Sequence, residues 1–247
     1  MILRRRNFLA ASLAASFSRW PQEDGPHAEE PPLLDHILFG SNDLERGIDF
    51  VEQRTGVRAT FGGVHPGRGT QNALLSLGTR RYLEIIAPDP RQRTEDPLAR
   101  KLQSLAEPRL VGWAAHPQDI LAFAAKLKSQ NIPAEGPTPG SRKRPDGRVL
   151  HWQTLNLADD AHGLLPFFIQ WSDDSLHPSE DAPKGCQLVR FKLLAPDSAS
   201  LAKILARLAL DVPFAAAAAA TLQAVITGPK GDLELDSLLP GSSRKRP

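Results

Sequence analysis

The chain has 247 residues, 41% of them hydrophobic, with 30 Lys and Arg against 28 Asp and Glu and a formal net charge of +2. This length suits one large or two small domains, and the near-balanced charge excludes a global field that would drive nucleic-acid binding. The single cysteine, Cys186, excludes an intramolecular disulfide framework and a cysteine-rich zinc site; it reads as a small buried apolar residue.

Residues 1–20 read as an export signal. Arg4-Arg5-Arg6 precede a short apolar, alanine-rich run ending at Phe17, too short to span a bilayer. Arg5-Arg6-Asn7-Phe8-Leu9 resembles the twin-arginine pattern, which predicts periplasmic export, with a cytoplasmic chain as the alternative. Residues 21–32 are acidic and proline-rich and read as a flexible linker.

From Leu34 the periodicity predicts a strand, then a helix opened at Ser41-Asn42-Asp43, with Asn42 and Glu45 as a capping box and Gly56 as its end. Strands over Val57–Phe61, Asn72–Leu77 and Arg81–Ala87 complete a βαβββ unit. The pattern returns at Leu110, with a helix from Asp119, a basic loop Ser141–Gly147 that reads as a solvated face or as a contact for an anionic ligand, and strands Arg148–Leu157 and Leu164–Trp171. It returns in shorter form over residues 186–238, with a helix from Asp197, and residues 239–247 read as a disordered tail. The fold class expected is α+β, with repeated modules forming a curved mixed sheet around a cleft; modules one and two occupy residues 33–172.

His36 and Glu84 sit inside apolar strands, where an unpaired polar group is costly, so both are expected to face a shared cavity. As a pair they are read either as an acid–base couple or as a hydrogen-bonded pair that orders the cleft. The Gly-rich loop with His65 and Arg68, together with Asn72, offers donors for an anionic group, or satisfies its own turn. Trp152 shares strand parity with Leu74 and lines the cavity or packs in the core.

The segments LDHILFGSNDLERGIDFVEQRTGV, HPGRGTQNALLSLG and YLEIIAPDP, followed by RPDGRVLHWQTL and LLPFFIQW, resemble the glyoxalase-like branch of the vicinal oxygen chelate superfamily. The resemblance implies ligands for a divalent metal (Zn, Fe, Mn or Ni) on the first and fourth strands of each copy. Those positions hold His36 and Glu84 in copy one, Gly112 and Phe168, with Gln170 beside it, in copy two, and Arg190 and Glu234 in copy three. Gln170 or Glu234 would complete a metal set if the copies pair suitably, or His65 or His116 would do so from a loop, with Phe168 lining the substrate space. The implied function is metal-assisted or acid–base chemistry on a small carbonyl or enolisable molecule. The alternative is a non-catalytic binder of a small organic anion. A homodimer is a further expectation; no stable membrane span and no nucleic-acid partner are expected.

Overall fold

The computed structural model describes residues 32–93 and 95–238. The signal expected over residues 1–20, nearly all of the linker and the tail at 239–247 lie outside them. Module one runs β1 (Leu34–Gly40), α1 (Leu44–Thr55), β2 (Thr60–His65), β3 (Thr70–Ser76) and β4 (Tyr82–Pro88). A short helix, α2 (Pro97–Gln103), leads to module two: β5 (Arg109–Ala115), α3 (Ile120–Ser129), β6 (Ala134–Lys143), β7 (Val149–Leu157) and β8 (Phe167–Trp171). After α4 (Pro178–Asp181) comes a third unit: β9 (Gln187–Ala195), α5 (Ser198–Leu208), β10 (Phe214–Ala216), β11 (Thr221–Gly228) and β12 (Gly231–Asp236).

The first two modules share one eight-stranded sheet, ordered β2-β3-β4-β1-β5-β8-β7-β6. Each half has the same internal order, and the halves meet where β1 pairs antiparallel with β5. The third unit forms a separate four-stranded sheet, β10-β9-β11-β12. It repeats the element order of the modules but not their strand order, because β9 pairs with β10 and β11 on either side.

The helices begin where a side chain can cap the first free N–H groups. Asp43, rather than the expected Asn42, caps α1 by accepting from Arg46 N, and Asp119 and Asp197 do the same for α3 and α5. Strand alternation then separates two faces. Ile37, Phe39, Leu83, Ile85 and Trp113 enter a core that continues into the small sheet. Trp113 packs on Phe191 of β9 at 5.2 Å, and its Nε1–H donates to Leu164 O at 2.8 Å. Cys186 is free and buried, as expected.

The opposite face of the large sheet is its inner face, and the sheet curls until its edges approach. Gly63 lies so near β6 that a Cβ there would sit 2.8 Å from Lys143 O. β6 therefore extends through Ser141–Lys143, a stretch expected to be a solvated loop, and Arg142 is only 3% exposed. Two short helices cover parts of this inner face. Leu102 of α2 packs with Ile86, and Ala182 beside α4 packs with Leu74 and Tyr82.

Candidate active site on the inner face of the sheet

The β1–β4 register sets His36 beside Tyr82 and Leu38 beside Glu84. Alternation then directs His36, Tyr82 and Glu84 to the same face, and Asn72 joins them from β3. Between Leu34 and His36 the pairing with β5 slips by one residue, which marks a bulge. At this bulge two consecutive residues meet: His36 Nδ1 lies 2.7 Å from Asp35 Oδ1.

Asp35 is completely buried, and its oxygens also receive Trp171 Nε1–H at 3.4 Å and face His177 Nε2 at 3.2 Å. The backbone N–H of Ser179 donates to His177 Nδ1, so that atom presents its lone pair and His177 Nε2 carries the proton toward Asp35. On its other side, His36 Nε2 lies 3.4 Å from Glu84 Oε2, within ion-pair distance but without hydrogen-bond alignment. Glu84 Oε1 accepts from Asn72 Nδ2 at 2.6 Å, and Asn72 Oδ1 in turn accepts from Arg142 Nη1 across the gap between the sheet edges. His65, at the end of β2, brings Nε2 to 3.7 Å from Glu84 Oε1, with Nδ1 on Thr70 Oγ1 at 2.8 Å. Tyr82 stacks on His36 at 4.5 Å, and Phe167 meets the imidazole edge-on at 5.5 Å.

Burial opposes every charge here, and neighbouring charges decide the outcome. For His36, burial favours the neutral ring, but the hydrogen bond to Asp35 and the facing Glu84 outweigh it and lift the pKa to about 9. Burial would raise Glu84, but His36 holds it down at about 2, with His65 and Asn72 adding to the effect. Asp35 is likewise kept well below the usual carboxylate range by His177 and His36, against the effect of burial. Burial pushes His65 down and Tyr82 well up. The site therefore holds an imidazolium between two carboxylates.

Strand parity indicates His36, Glu84 and Asn72, the Gly-rich loop indicates His65, and the fold brings these four together. Trp152 is half-buried on the inner face, 5.3 Å from Trp171. Four other expectations are corrected. Arg68 points outward, 69% exposed, with its Nε paired to Asp96 at 3.0 Å. In β8 the pairing of Ala114 with Phe167 makes Phe167, not Phe168, the counterpart of Glu84. Phe168 faces the helices, 4.4 Å from Phe123. Gln170 shares that outer parity, and its Oε1 accepts from Ile120 N at 2.8 Å, at the start of α3. Glu234 is exposed on the small sheet, away from the buried inner face. Sequence reasoning misses Asp35, Tyr82 and His177, and it places Arg142 in a basic loop rather than in the site.

The glyoxalase-like domain model matches residues 34–209. The chain belongs to this family, within the vicinal oxygen chelate superfamily. A hypothetical protein from Staphylococcus aureus is 19% identical with a TM-score of 0.57, over 82% of this chain and 84% of that one. Methylmalonyl-CoA epimerase from Mycobacterium tuberculosis is 18% identical with a TM-score of 0.42, over 57% of this chain and 87% of that one. The Streptomyces coelicolor epimerase in complex with 2-nitronate-propionyl-CoA is 20% identical with a TM-score of 0.44, over 60% of this chain and 99% of that one. At such identities the likeness is one of fold. No curated protein sequence matches the chain.

The donor set of this glyoxalase-like chain falls short of a metal centre. With Gln170 and Glu234 displaced, and Gly112 and Phe167 at the module-two positions, module two adds no ligand to His36 and Glu84, and the further imidazole at hand is His65, whose Nδ1 is engaged by Thr70 and whose Nε2 lies 3.7 Å from Glu84 Oε1. Among the described residues, no three His, Cys, Asp or Glu side chains are grouped to hold an ion.

Proposed function

We propose that the inner-face site moves a proton next to the carbonyl of a small organic molecule, with Glu84 as base and His36 as the acid that steadies the oxygen. The observation supporting this reading is the buried, oppositely charged His36–Glu84 pair, whose facing atoms are 3.4 Å apart without a hydrogen bond. A ligand oxygen entering between them takes over the His36 Nε2–H. The Glu84 carboxylate then accepts the proton from the adjacent carbon, and the electron pair of the broken C–H bond moves onto the carbonyl oxygen beside the imidazolium. Returning the proton to the same or a neighbouring carbon gives an epimerase or an isomerase.

Open space lies over Gly112, two strands from Glu84: a Cβ added there would meet nothing within 4 Å, and Gly112 neighbours Leu38, the register partner of Glu84. Phe167 and the half-buried Trp152 and Trp171 give this region an apolar wall.

The low pKa of Glu84 favours a second reading, a binder that holds a small organic ligand without turnover, because a carboxylate so stabilised is a weak base. Deuterium wash-in separates the two. A panel of small α-substituted carbonyl compounds is incubated with protein in D2O and followed by mass spectrometry. Catalysis predicts carbon-bound deuterium with wild type and loss of at least about a hundredfold in Glu84→Gln. Melting shifts with some of the panel but no wash-in would establish the binder.

A further inference from the structure

The positive charge in this site is built from side chains. Asp35 and Glu84 are opposed by His36 and by Arg142, and all four are at most 7% exposed. The place of Arg142 is prepared by the chain itself. A Cβ at Gly62 would collide with Arg142 Nη1 and Asn72 Oδ1, and one at Gly63 would sit 3.1 Å from Arg142 Cδ. Gly62-Gly63 is therefore a cradle that admits a guanidinium between the two sheet edges. From there Arg142 holds Asn72 Oδ1, and Asn72 Nδ2 occupies Glu84 Oε1. Both oxygens of Glu84 face partners before any ligand arrives, Oε1 the Asn72 amide and Oε2 the imidazole.

We propose that Arg142 takes over the electrostatic role of a divalent cation, so that the site receives its oxyanion with organic cations and excludes metal from His36 and Glu84. This deepens the proton-transfer reading of the same site and names Arg142 as its positioning residue. The placement of Arg142 explains the exclusion. Its fixed charge is buried one amide away from Glu84, in a cradle shaped by Gly62 and Gly63. A divalent ion at His36 and Glu84 must share that confined space with a guanidinium that cannot deprotonate. Gly112 and Phe167, at the corresponding module-two positions, offer such an ion no donor.

The test is Co2+ titration of the folded full chain, followed by its visible absorption and by calorimetry, alongside circular dichroism. Wild type and Arg142→Lys are expected to show no His36-dependent Co2+ binding, because both keep the fixed charge. Arg142→Met is expected to gain Co2+ binding, and the added substitution His36→Ala to abolish it. If Arg142 serves only to join the sheet edges, Arg142→Met changes melting and gains no ion, which overturns the proposal. Co2+ binding by wild type that is lost in His36→Ala overturns it as well. Should Arg142→Met fail to fold, Gly62→Ala, which displaces the guanidinium, takes its place with the same expected gain. The result is independent of deuterium wash-in. Absent wash-in with the Co2+ pattern as expected removes the catalytic reading and leaves the charge assignment standing.

Discussion

His36 contacts two carboxylates of different character. Asp35 is fully buried and engaged by His36, His177 and Trp171, so it fixes the ring. Glu84 stands opposite the free side of the ring and is the partner a ligand can replace. The linkage has a definite sign. A His36 pKa of about 9 adds stability that is complete below the unfolded value near 6.5 and is lost as pH rises through 9. A Glu84 pKa of about 2 adds stability that is complete above the unfolded value near 4.5 and is lost as pH falls through 2. Urea unfolding should therefore show stability declining between pH 6.5 and 9, by on the order of 1 kcal/mol per pH unit, with the decline largely absent in His36→Gln. An unchanged slope in that variant would remove His36 as the titrating group.

His36, Glu84 and Asn72 were legible because each sits on a strand whose alternation is clear. Asp35 was not, since strict alternation assigns it to the other face and only the bulge beside His36 brings the two together. Sequence alone points to Phe168 instead of Phe167 because a shift of one residue reverses every side chain of a strand, and nothing local in LLPFFIQW marks where β8 begins. Arg142 sat in a basic, turn-rich stretch. Its burial depends on Gly62-Gly63, about eighty residues earlier in the chain.

At the scale of elements, the short helices matter most. The strap around α4 carries His177 to Asp35 and is tied down by Asp181, which pairs with Arg144 at 2.8 Å and with Arg148 at 3.0 Å. Farther along, Pro183 O accepts from Ser76 N at 2.9 Å, joining the strap to the end of β3. These ion pairs are partly exposed, so together they are worth on the order of 1 kcal/mol. Asp181→Asn should accelerate hydrogen exchange of the Ser76 amide relative to the amides of β4, as read by mass spectrometry of the corresponding peptides; equal rates in the two proteins would show that the latch does not hold the strap. The long elements, α1, α3, α5 and the central strands, followed from periodicity and from Asp43, Asp119 and Asp197 at their helix starts. Neither α2 nor α4 is long enough to show a helical period, so their positions over the inner face emerged only from tertiary packing.

Across the whole molecule, one core runs from the large sheet into the small one, from Ile37 and Trp113 to Phe191 and Leu233. Such a body is expected to fold as a unit, and this accords with the twin-arginine reading of residues 1–20, a route for folded cargo. Among the described residues, no helix is long and apolar enough to cross a membrane. Fractionation of the full-length protein should place it in the periplasm, and Arg5→Lys with Arg6→Lys should retain it in the cytosol; periplasmic recovery of that variant would refute the export reading. The modular plan was legible as a repeat, whereas the different strand order of the third unit was not, because pairing partners leave no mark in periodicity.

The unfilled space over Gly112 has an evolutionary consequence. In this duplicated architecture the first half carries the imidazole and the carboxylate, while the second half contributes the charge of Arg142 and the inner-face side chains of Phe167 and Trp152. On the proposed proton-transfer reading, substitutions at Gly112, Ala114 or Trp152 would change which molecules fit while His36, Glu84 and Arg142 keep their places. On that reading, a lineage with this division of labour would diversify its ligands by small steps.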